Sequence, residues 1–581
     1  MIDRALKLIR RDGRDVGPEW QSLDDQATYD LMASGETLGV FQLEGAGMRD
    51  TLKKVRPHNL EDVIAIISLY RPGPMENIPV YVQGKEDPSS VVYQHPDLKP
   101  VLEATYGVPV YQEQVMRMAQ EIAGYSLGEA DLLRRAMGKK KVEEMIAQRK
   151  RFVEGAAEQK GMEEKLANDI FDTMEKFAGY GFNKSHAAAY ALIGYHTGYL
   201  KRHFPVEFLA ASMSLDIGNT DKLAAFFQEA KRLKIPVLAP DVNTSSADFD
   251  VRDGAVVYAL GALKGVGLEA MKHVVEIRDK DGRFADLYDF AERVDPKHVN
   301  KKAFESLSKA GAFDGMEPNR ARMLESAPLL ANLAVSAAQD RQGGQGGLFA
   351  EAEPALRPVL PKTRAWNGQQ KLDQEFKSIG FYFSGHPLDD VLEGLDRERV
   401  TLAMEVQDRA SDGKPLEMIG VVRARSDKPA RNGGKFAFLT LSDPSGEVEM
   451  MVFPETLSQN YDLLQVGNAV AITVGVKRNA EEIKLNAERV LKLEAARLSK
   501  AMGALKIRLA VGAYVGDLAG VVGHLAKLQD LEQGELLIEM PLEDGRVVTM
   551  KLPATYTIGL SAQRALKEAP GVERVEPLKA A

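Results

Sequence analysis

The chain has 581 residues, of which 44% are hydrophobic and 27% are charged, with a net charge of −9. This is a globular composition, long enough for several domains of about 100–200 residues each. It contains no cysteine, which excludes disulfides, cysteine–zinc sites and thiol nucleophiles. We find neither a long uncharged apolar run of membrane-spanning type nor the apolar core of a signal peptide, so we expect a cytoplasmic protein without membrane contact. The negative net charge argues against a protein that coats nucleic acid nonspecifically, although the local charge of a surface decides what it binds.

Residues 1–237 are predicted to be mainly helical, because their apolar residues recur at helical spacing. Ser126 and Glu129 have the spacing of a capping box at a helix start. Tyr70-Arg-Pro-Gly-Pro74 must end any helix and form a rigid turn, which can hold the guanidinium of Arg71 in a fixed position. We expect Arg71 to belong to a nucleotide-phosphate site and to brace it. A plain loop arginine is the alternative for Arg71. Helices are expected at Gln112–Ala123, Asp131–Met137, Val142–Gln159 and Met162–Phe177.

A stretch rich in basic residues begins near the end of the second of these expected helices. Residues 134–151 hold eight Lys or Arg and two Glu side chains. Such a run favours a polyanionic partner, with a solvated helix face as the alternative. We expect three of these side chains to neutralise the phosphates of a nucleotide: Arg134, Arg135 and Lys139. Lys140 and Lys141 are expected to contact the DNA backbone.

A glycine-punctuated segment, Gly179-Tyr-Gly-Phe-Asn-Lys-Ser-His186, opens another helix that continues to Ile193. Ser185 is a good helix N-cap residue. A helix start with free amides, the Lys184 ammonium and a hydroxyl suits a phosphate group. We therefore expect Lys184 and Ser185 to bind nucleotide phosphates.

Residues 238–335 are predicted to form a tandem helix-hairpin-helix domain. Its first hairpin is Lys264-Gly-Val-Gly267, where Gly265, Val266 and Gly267 let backbone amides approach a DNA phosphate and Lys264 adds charge. A helix is expected at Leu268–Arg278. A second helix at Asn300–Lys309, with the turn after it, supplies the other half. An ordinary helix-turn-helix packing unit is the alternative.

A linker follows at residues 336–362, rich in Ala, Gln, Gly, Glu and Pro. It contains Gln345-Gly-Gly-Leu-Phe349, in which the bulky Leu348 and Phe349 need a partner to bury them. Gln345, Leu348 and Phe349 are therefore predicted to form a short docking peptide, with a chance Leu-Phe pair as the alternative. Residues 363–415 are treated as a connecting segment.

Residues 416–495 alternate with period two and carry turn signals, which predicts an OB-type β-barrel of five strands. These strands are expected at Leu416–Arg425, Lys435–Leu441, Glu447–Phe453, Ala469–Lys477 and Ile483–Leu493. Phe436, Phe438 and Phe453 are candidates for base stacking. Core packing and a protein ligand are the alternatives. The basic residues expected along the nucleic-acid path are Arg423, Arg425, Lys428 and Arg431. Residues 503–581 are predicted to form a small α/β docking domain, with strands at Lys506–Val511, Glu535–Met540 and Val547–Leu552.

Several sequence motifs, taken in their order along the chain, resemble those of the bacterial family C replicative DNA polymerases, of the polymerase III alpha-subunit type. The resemblance covers essentially the whole chain. Its motifs are Val40-Phe-Gln-Leu-Glu44, Tyr70–Pro74, Tyr111-Gln-Glu-Gln114, Leu133-Arg-Arg-Ala-Met-Gly-Lys-Lys-Lys141, Gly179–His186 and Ser384-Gly-His-Pro-Leu388.

The resemblance implies a multidomain α+β protein with mainly helical fingers, a helix-hairpin-helix domain, an OB-fold and a small C-terminal α/β domain. It implies that Arg134 and Arg135 meet the phosphates of an incoming dNTP, that Lys264–Gly267 grips primer-template duplex, and that Gln345–Phe349 binds the sliding clamp (beta). The C-terminal domain would dock the clamp-loader tau subunit.

The family's catalytic aspartates lie in a palm domain before the fingers, and this chain is expected to start after them. We therefore predict no catalytic residue and no metal ligand here, with Mg²⁺ held by the N-terminal half of the polymerase as a partner. The chain alone is expected to be inactive. Two alternatives are a non-catalytic DNA- and clamp-binding adaptor and the error-prone paralogue of the same family.

Overall fold

The computed structural model divides into two compact units, Met1–Val299 with Ala337–Gln342, and Asn300–Ser336 with Gly343–Ala581. The residues described are 1–139, 142–178, 181–342, 357–395, 397–430, 434–478, 483–493, 502–510, 515–525, 533–542, 546–567, 569 and 571–579.

The first unit is mainly helical, as expected. Its helices are α1 Ile2–Arg11, α2 Glu19–Ser22, α3 Gln26–Ala33, α4 Ala46–Val55, α5 Leu60–Leu69, α6 Ile78–Glu86, α7 Lys99–Leu102, α8 Gln112–Ala123, α9 Leu127–Lys139, α10 Val142–Lys160, α11 Glu164–Ala178, α12 Lys184–His203, α13 Pro205–Leu215, α14 Thr220–Arg232, α15 Leu268–Asp281 and α16 Leu287–Arg293.

Local chemistry fixes where these helices begin and end. The side chains of Asp25, Asn59 and Asn219 each accept a hydrogen bond from an amide of the first turn they precede, which satisfies a donor with no partner inside the helix. Helix α5 ends at Leu69, directly before the Tyr70–Pro74 turn. The predicted capping box is confirmed, because the Ser126 amide donates to the Glu129 carboxylate at 2.8 Å and the Glu129 amide to the Ser126 hydroxyl at 3.3 Å.

Among the described residues, two of the hydrophobic cores of this unit meet at α8. The first is built around α3, α4, α5 and α12 and includes Tyr29, Ile64, Tyr111 and Tyr195. The second is built around α8 to α11 and includes Val115, Met118 and Phe152. The start of α8 thus belongs to the first core and its body to the second, which places the N-terminus of α8 where the two cores meet.

A small sheet completes the first unit and precedes the predicted hairpin. Its strands are β1 Val237–Leu238, β2 Asp250–Arg252 and β3 Ala255–Val257. β3 lies in the middle, parallel to β1 and antiparallel to β2. Lys264–Gly267 then leads into α15, as the sequence predicts.

The second unit combines helices with two sheets. Its helices are α17 Lys301–Ala310, α18 Arg320–Gln342 (whose last residues fall in the first unit), α19 Gly368–Ile379, α20 Asp389–Gly394, α21 Val406–Arg409, α22 Pro454–Gln459, α23 Val515–Leu525 and α24 Leu560–Lys567. Its strands are β4 Val400–Thr401, β5 Leu416–Pro429, β6 Lys435–Asp443, β7 Gly446–Val452, β8 Ala469–Arg478, β9 Ile483–Lys492, β10 Met502–Leu509, β11 Gln533–Pro541, β12 Val547–Lys551, β13 Tyr556–Thr557 and β14 Val572–Lys579.

Strands β5 to β9 form a closed barrel. Its order is β5-β6-β7-β9-β8, and β8 pairs back onto β5. The α22 helix stands between the third and fourth barrel strands, and buried residues such as Leu439, Val452 and Ile472 fill the interior. This closed Greek-key arrangement is the OB topology, and it confirms the predicted barrel.

The C-terminal sheet has the order β12-β11-β10-β14, with β13 paired to β11. Helices α23 and α24 contribute Leu518 and Leu566 to its core. Together with the barrel and the helical first unit, this sheet confirms the multidomain α+β class. Among the residues described, no helix combines the length and apolarity that a membrane span requires.

Candidate nucleotide and nucleic-acid interface

The N-termini of α8 and α12 are held side by side by a short parallel bridge between Tyr111 and Phe182. The amide of Gln112 donates to the Phe182 carbonyl at 3.0 Å, and the amide of Phe182 donates to the Val110 carbonyl at 3.1 Å. We call this meeting point, residues 110–113 and 181–186, the helix junction. It lies within the first unit, where the two cores meet.

Gln112 ties three parts of the junction together. Its Nε2 donates to the Gly181 carbonyl at 3.0 Å, and its Oε1 accepts from Arg134 Nη1 at 3.2 Å. A Cβ atom at Gly181 would stand 3.2 Å from Gln112 Cγ and 3.3 Å from the Gln112 amide nitrogen. The glycine therefore permits a backbone approach that a side chain would obstruct.

The structure brings Arg71, Arg134 and Lys184 to this junction. The guanidinium of Arg71 lies 4.3 Å from the centre of the Phe182 ring, a cation–π contact, and its Nε donates to the Ser68 carbonyl at 3.0 Å. Burial lowers the pKa of Arg71. Lys184 Nζ lies 5.3 Å from the centre of the Tyr111 ring.

Arg134 and Arg135 share one carboxylate. Asp131 Oδ1 accepts from Arg134 Nε at 3.0 Å and Nη2 at 2.8 Å, and Asp131 Oδ2 lies 2.8 Å from Arg135 Nη2. The hydrogen bonds from Arg134 lower the pKa of Asp131. The Arg135 side chain is 62% exposed, against 27% for Arg134, so Arg134 faces the junction and Arg135 faces outward.

The prediction that Ser185 caps α12 is wrong. The N-cap is Asn183, whose side-chain oxygen accepts from the His186 amide at 2.9 Å. Ser185 is exposed in the first turn of the helix. The Lys184 amide is also occupied, because it donates to both oxygens of Glu113 at 3.2 and 3.1 Å. The helix start therefore offers fewer free amides than the sequence suggested.

An aromatic row runs along α12 from the junction. The Phe182, His186 and Tyr190 rings follow one another with centre distances of 5.5 and 4.5 Å, and Phe41 lies 5.3 Å beyond Tyr190. The spacing 182, 186, 190 is one helical turn per step, a signal present in the sequence that our sequence reasoning missed. Gln112 and Glu113 were part of a quoted motif but were given no role.

Several predicted site residues fall outside the described part of the chain. For these the sequence-based expectation stands as it was. They are Lys140, Lys141, the side chain of Lys139, Gln345, Leu348, Phe349 and Arg431.

The Lys264–Gly267 hairpin has the backbone of a phosphate-approaching loop. Gly265 and Gly267 have φ angles of 84° and 82°, which L-residues with a side chain rarely adopt. Gly267 is also the N-cap position of α15. Val266 is buried and anchors the loop, while Lys264 is exposed. A second helix, α17, begins after Asn300 as its N-cap and ends at Ala310, with Gly311 as its C-cap.

The barrel presents a partly exposed aromatic face on β5, β6 and the end of β7. The register pairs Phe438 with Ser426 and Met451, and Phe436 with Lys428. Phe438 and Phe453 are 38% and 46% exposed, and the Phe436 and Phe438 rings are in edge contact at 5.6 Å. We call Lys428, Phe436, Phe438 and Phe453 the barrel face.

Two arginines predicted along the nucleic-acid path are engaged within the barrel instead. Arg423 Nε lies 2.7 Å from Glu447 Oε2. Arg425 donates to the Tyr461 and Leu464 carbonyls, both at 3.1 Å, and lies over the Tyr461 ring. These contacts make both residues part of the barrel's own packing, which leaves Lys428 as the exposed cation of the barrel face.

Mg²⁺ needs converging oxygen ligands. Within the described ranges, no three His, Asp or Glu side chains come together in a way that could hold a metal ion. This part of the chain therefore offers no preformed group of three such ligands for Mg²⁺.

Three family models match successive parts of the chain. The bacterial DNA polymerase III alpha subunit finger domain matches residues 1–160, a helix-hairpin-helix motif matches residues 234–323, and an OB-fold nucleic acid binding domain matches residues 417–493. The finger match contains α8 and α9 of the candidate site, the second contains the Lys264–Gly267 hairpin, and the third contains the barrel.

Curated relatives match most of the chain in sequence. The DNA polymerase III subunit alpha of Caulobacter vibrioides is 49% identical over 99% of this chain and 50% of its own length. Those of Thermus aquaticus and Escherichia coli strain K12 are 43% and 40% identical over 85% and 87% of this chain, and over 41% and 45% of their own lengths. The chain thus spans about half the length of these relatives. In sequence and domain order it belongs to the DNA polymerase III alpha subunit family, of which it matches a C-terminal portion.

Proposed function

We propose that this chain is the part of a replicative DNA-directed DNA polymerase that binds the incoming dNTP and the primer-template and tethers the sliding clamp during chromosome replication. The parent reaction adds a nucleotide to the primer 3′ end and releases pyrophosphate. The relatives carry this polymerase name, and the family models add two nucleic-acid-type domains.

The nucleotide-binding role is supported by one observation: several cations converge on the helix junction. Arg71 contacts Phe182, Arg134 contacts Gln112, and Lys184 opens α12. Charge-assisted hydrogen bonds from Arg and Lys are the usual means of holding phosphate oxygens. The exposed Arg135 and Ser185 stand next to these groups, and Lys139 follows on α9.

DNA contact is assigned to two further features. The positive-φ glycines of the Lys264–Gly267 hairpin suit a backbone amide approach to a duplex phosphate, with Lys140 and Lys141 as further backbone contacts. The barrel face combines exposed aromatic rings with Lys428, the combination that binds single strands by stacking and charge.

Two partners are proposed from the sequence alone. The peptide with Gln345, Leu348 and Phe349 would bind the sliding clamp. Residues 503–581 would dock the clamp-loader tau subunit.

The catalytic carboxylates and Mg²⁺ are assigned to the N-terminal half of the polymerase, so we predict no DNA synthesis by this chain alone. The test is primer extension on primed DNA with Mg²⁺ and dNTPs, with and without a separately supplied N-terminal half. Synthesis only in the mixture supports the proposal. Synthesis by the isolated chain that survives controls for a contaminating polymerase contradicts it.

A non-catalytic DNA- and clamp-binding adaptor is the second candidate. The hairpin glycines and the barrel face favour it, because neither needs the helix junction to bind DNA. Retention of DNA and clamp binding without dNTP binding would select this function.

A further inference from the structure

We propose that Glu61, Glu113 and Asp131 occupy the phosphate-binding groups of the helix junction and are exchanged for triphosphate oxygens when the nucleotide binds. This inference rests on the proposed dNTP-binding function and concerns how the same site is regulated. It follows from one regularity: the predicted phosphate ligands Lys184, Arg134 and Arg135 already hold carboxylates, whereas the described contacts of Arg71 are the Phe182 ring and the Ser68 carbonyl.

The first pair is Lys184 with Glu61. Lys184 Nζ lies 2.8 Å from Glu61 Oε2, and the two side chains are 38% and 55% exposed. Glu61 is in the first turn of α5 and more than half in water, so its carboxylate can turn outward at little cost. The lysine is thereby held in position for a phosphate without being buried as an unpaired charge.

The second pair is the α12 start with Glu113. Both oxygens of Glu113 accept from the Lys184 amide, in the position that an anion takes at a helix N-terminus. Because Glu113 is the second residue of α8, this contact also helps to hold the two helix starts together.

The third carboxylate, Asp131, engages two arginines at once through separate oxygens. A triphosphate offers several oxygens and more charge than one carboxylate, so it can replace Asp131 on either arginine. The exchange keeps each guanidinium paired before and after binding.

A buried hydroxyl at the same place supports this assignment. Tyr111 is 2% exposed and its hydroxyl has no hydrogen-bond partner among the described residues. Burial raises the pKa of this tyrosine, with the charges of Glu61, Asp62 and Glu113 adding to the effect. The carboxylates of Glu61 and Glu113 thus act on the same ring over which the Lys184 ammonium lies.

The experiment measures dATP affinity by calorimetry with excess Mg²⁺, using the full chain. Glu61→Gln, Glu113→Gln and Asp131→Asn keep an acceptor oxygen and remove the charge. Each is expected to bind dATP about two- to five-fold more tightly, the size expected for losing an exposed ion pair. The matched control is Glu269→Gln, whose carboxylate pairs with Lys272 at 2.7 Å on α15, and its affinity should equal that of the wild type. Thermal melting confirms that each variant folds.

A double-mutant cycle separates exchange from a general charge effect. With Lys184→Met in the background, Glu61→Gln should lose its effect, because Glu61 then has no ammonium to release. Equal dATP affinity in the wild type and all three amide variants would overturn the exchange alone. Absence of dATP binding in the wild type and in every variant would overturn the proposed dNTP-binding function together with it.

Discussion

Gly181 shows how one missing side chain sets the geometry of the helix junction. Its carbonyl accepts from Gln112 Nε2 at 3.0 Å, and Gln112 in turn accepts from Arg134. The position of Arg134 therefore depends on a close backbone approach that a side chain at position 181 would crowd.

Replacing Gly181 with Ala should separate the starts of α8 and α12 by a few tenths of an ångström and weaken dATP binding several-fold. The reason is that the new Cβ meets both Gln112 Cγ and the Gln112 backbone. Calorimetry measures the affinity. The control is Gly128→Ala on α9, where an added Cβ has nothing within 4 Å; equal losses in both variants would count against the junction geometry.

His196 should make the first unit less stable as the pH falls. Its ring stacks on Trp20 at 4.0 Å and Nε2 donates to the Trp20 carbonyl at 3.0 Å. Burial lowers its pKa, so between that value and the ordinary value of about 6.5 the unfolded chain binds more protons than the folded one. The stabilisation is complete above the ordinary value and is lost as the pH falls through the folded value.

The measurement is the thermal midpoint of the chain between about pH 7.5 and pH 5, the range in which histidine titrates. His196→Gln should show a smaller decrease than the wild type. An unchanged pH profile in the variant would refute the role given to His196.

At the scale of elements, the start of α12 shows where local sequence chemistry was ambiguous. Asn183 and Ser185 are both good N-cap residues, and the segment Asn-Lys-Ser contains both within three positions. The bridge from Phe182 to α8 ends the extended backbone at Asn183. A contact remote in sequence therefore decided the cap, and the sequence alone could not show it.

Asn183→Ala should loosen the first turn of α12 by about 0.5–2 kcal/mol, the usual cost of losing an N-cap. Ser185→Ala should have a much smaller effect, because Ser185 does not cap. Hydrogen exchange of the amides of residues 184–188 measures this local stability. Faster exchange in Ser185→Ala than in Asn183→Ala would reverse the assignment.

The barrel face should bind single-stranded DNA through its exposed rings. Phe438→Ala and Phe453→Ala are each expected to reduce affinity for an oligo-dT strand by about 1–3 kcal/mol, the usual contribution of one stacked base. Fluorescence anisotropy of the labelled strand gives the affinity. Val466→Ala removes a side chain that is 60% exposed on a loop of the same barrel; a loss as large in this variant would show that the face is not the binding surface.

At the scale of the whole molecule, the sequence predicted elements better than contacts. The five barrel strands and α8 were expected close to where they lie, because period-two and helical spacing report local burial directly. The C-terminal strand β14 was missed. Its sequence, Val-Glu-Arg-Val-Glu-Pro-Leu-Lys, carries charges and a proline that hide the strand pattern.

The sequence pointed to the cations of the candidate site but not to the carboxylates that pair with them. Arg134 stood out because positive charge is concentrated around it, and Lys184 because it lies at a glycine-punctuated helix start. Glu61 lies far away in the sequence, and only the packing of α5 against α12 brings it to Lys184. The group of cations was thus foreseeable from the sequence, whereas their pairing with carboxylates required the fold.

The central claim is that the helix junction binds a nucleoside triphosphate through Arg134 and Lys184. The most direct measurement is calorimetry of dATP and of deoxyadenosine with the full chain, wild type and Arg134→Ala/Lys184→Ala. We predict that the wild type binds dATP far more tightly than deoxyadenosine and that the double variant loses about tenfold or more of the dATP affinity, as expected for removing two charge-assisted contacts. Equal affinity for dATP and deoxyadenosine, or unchanged dATP affinity in the double variant, would contradict the claim.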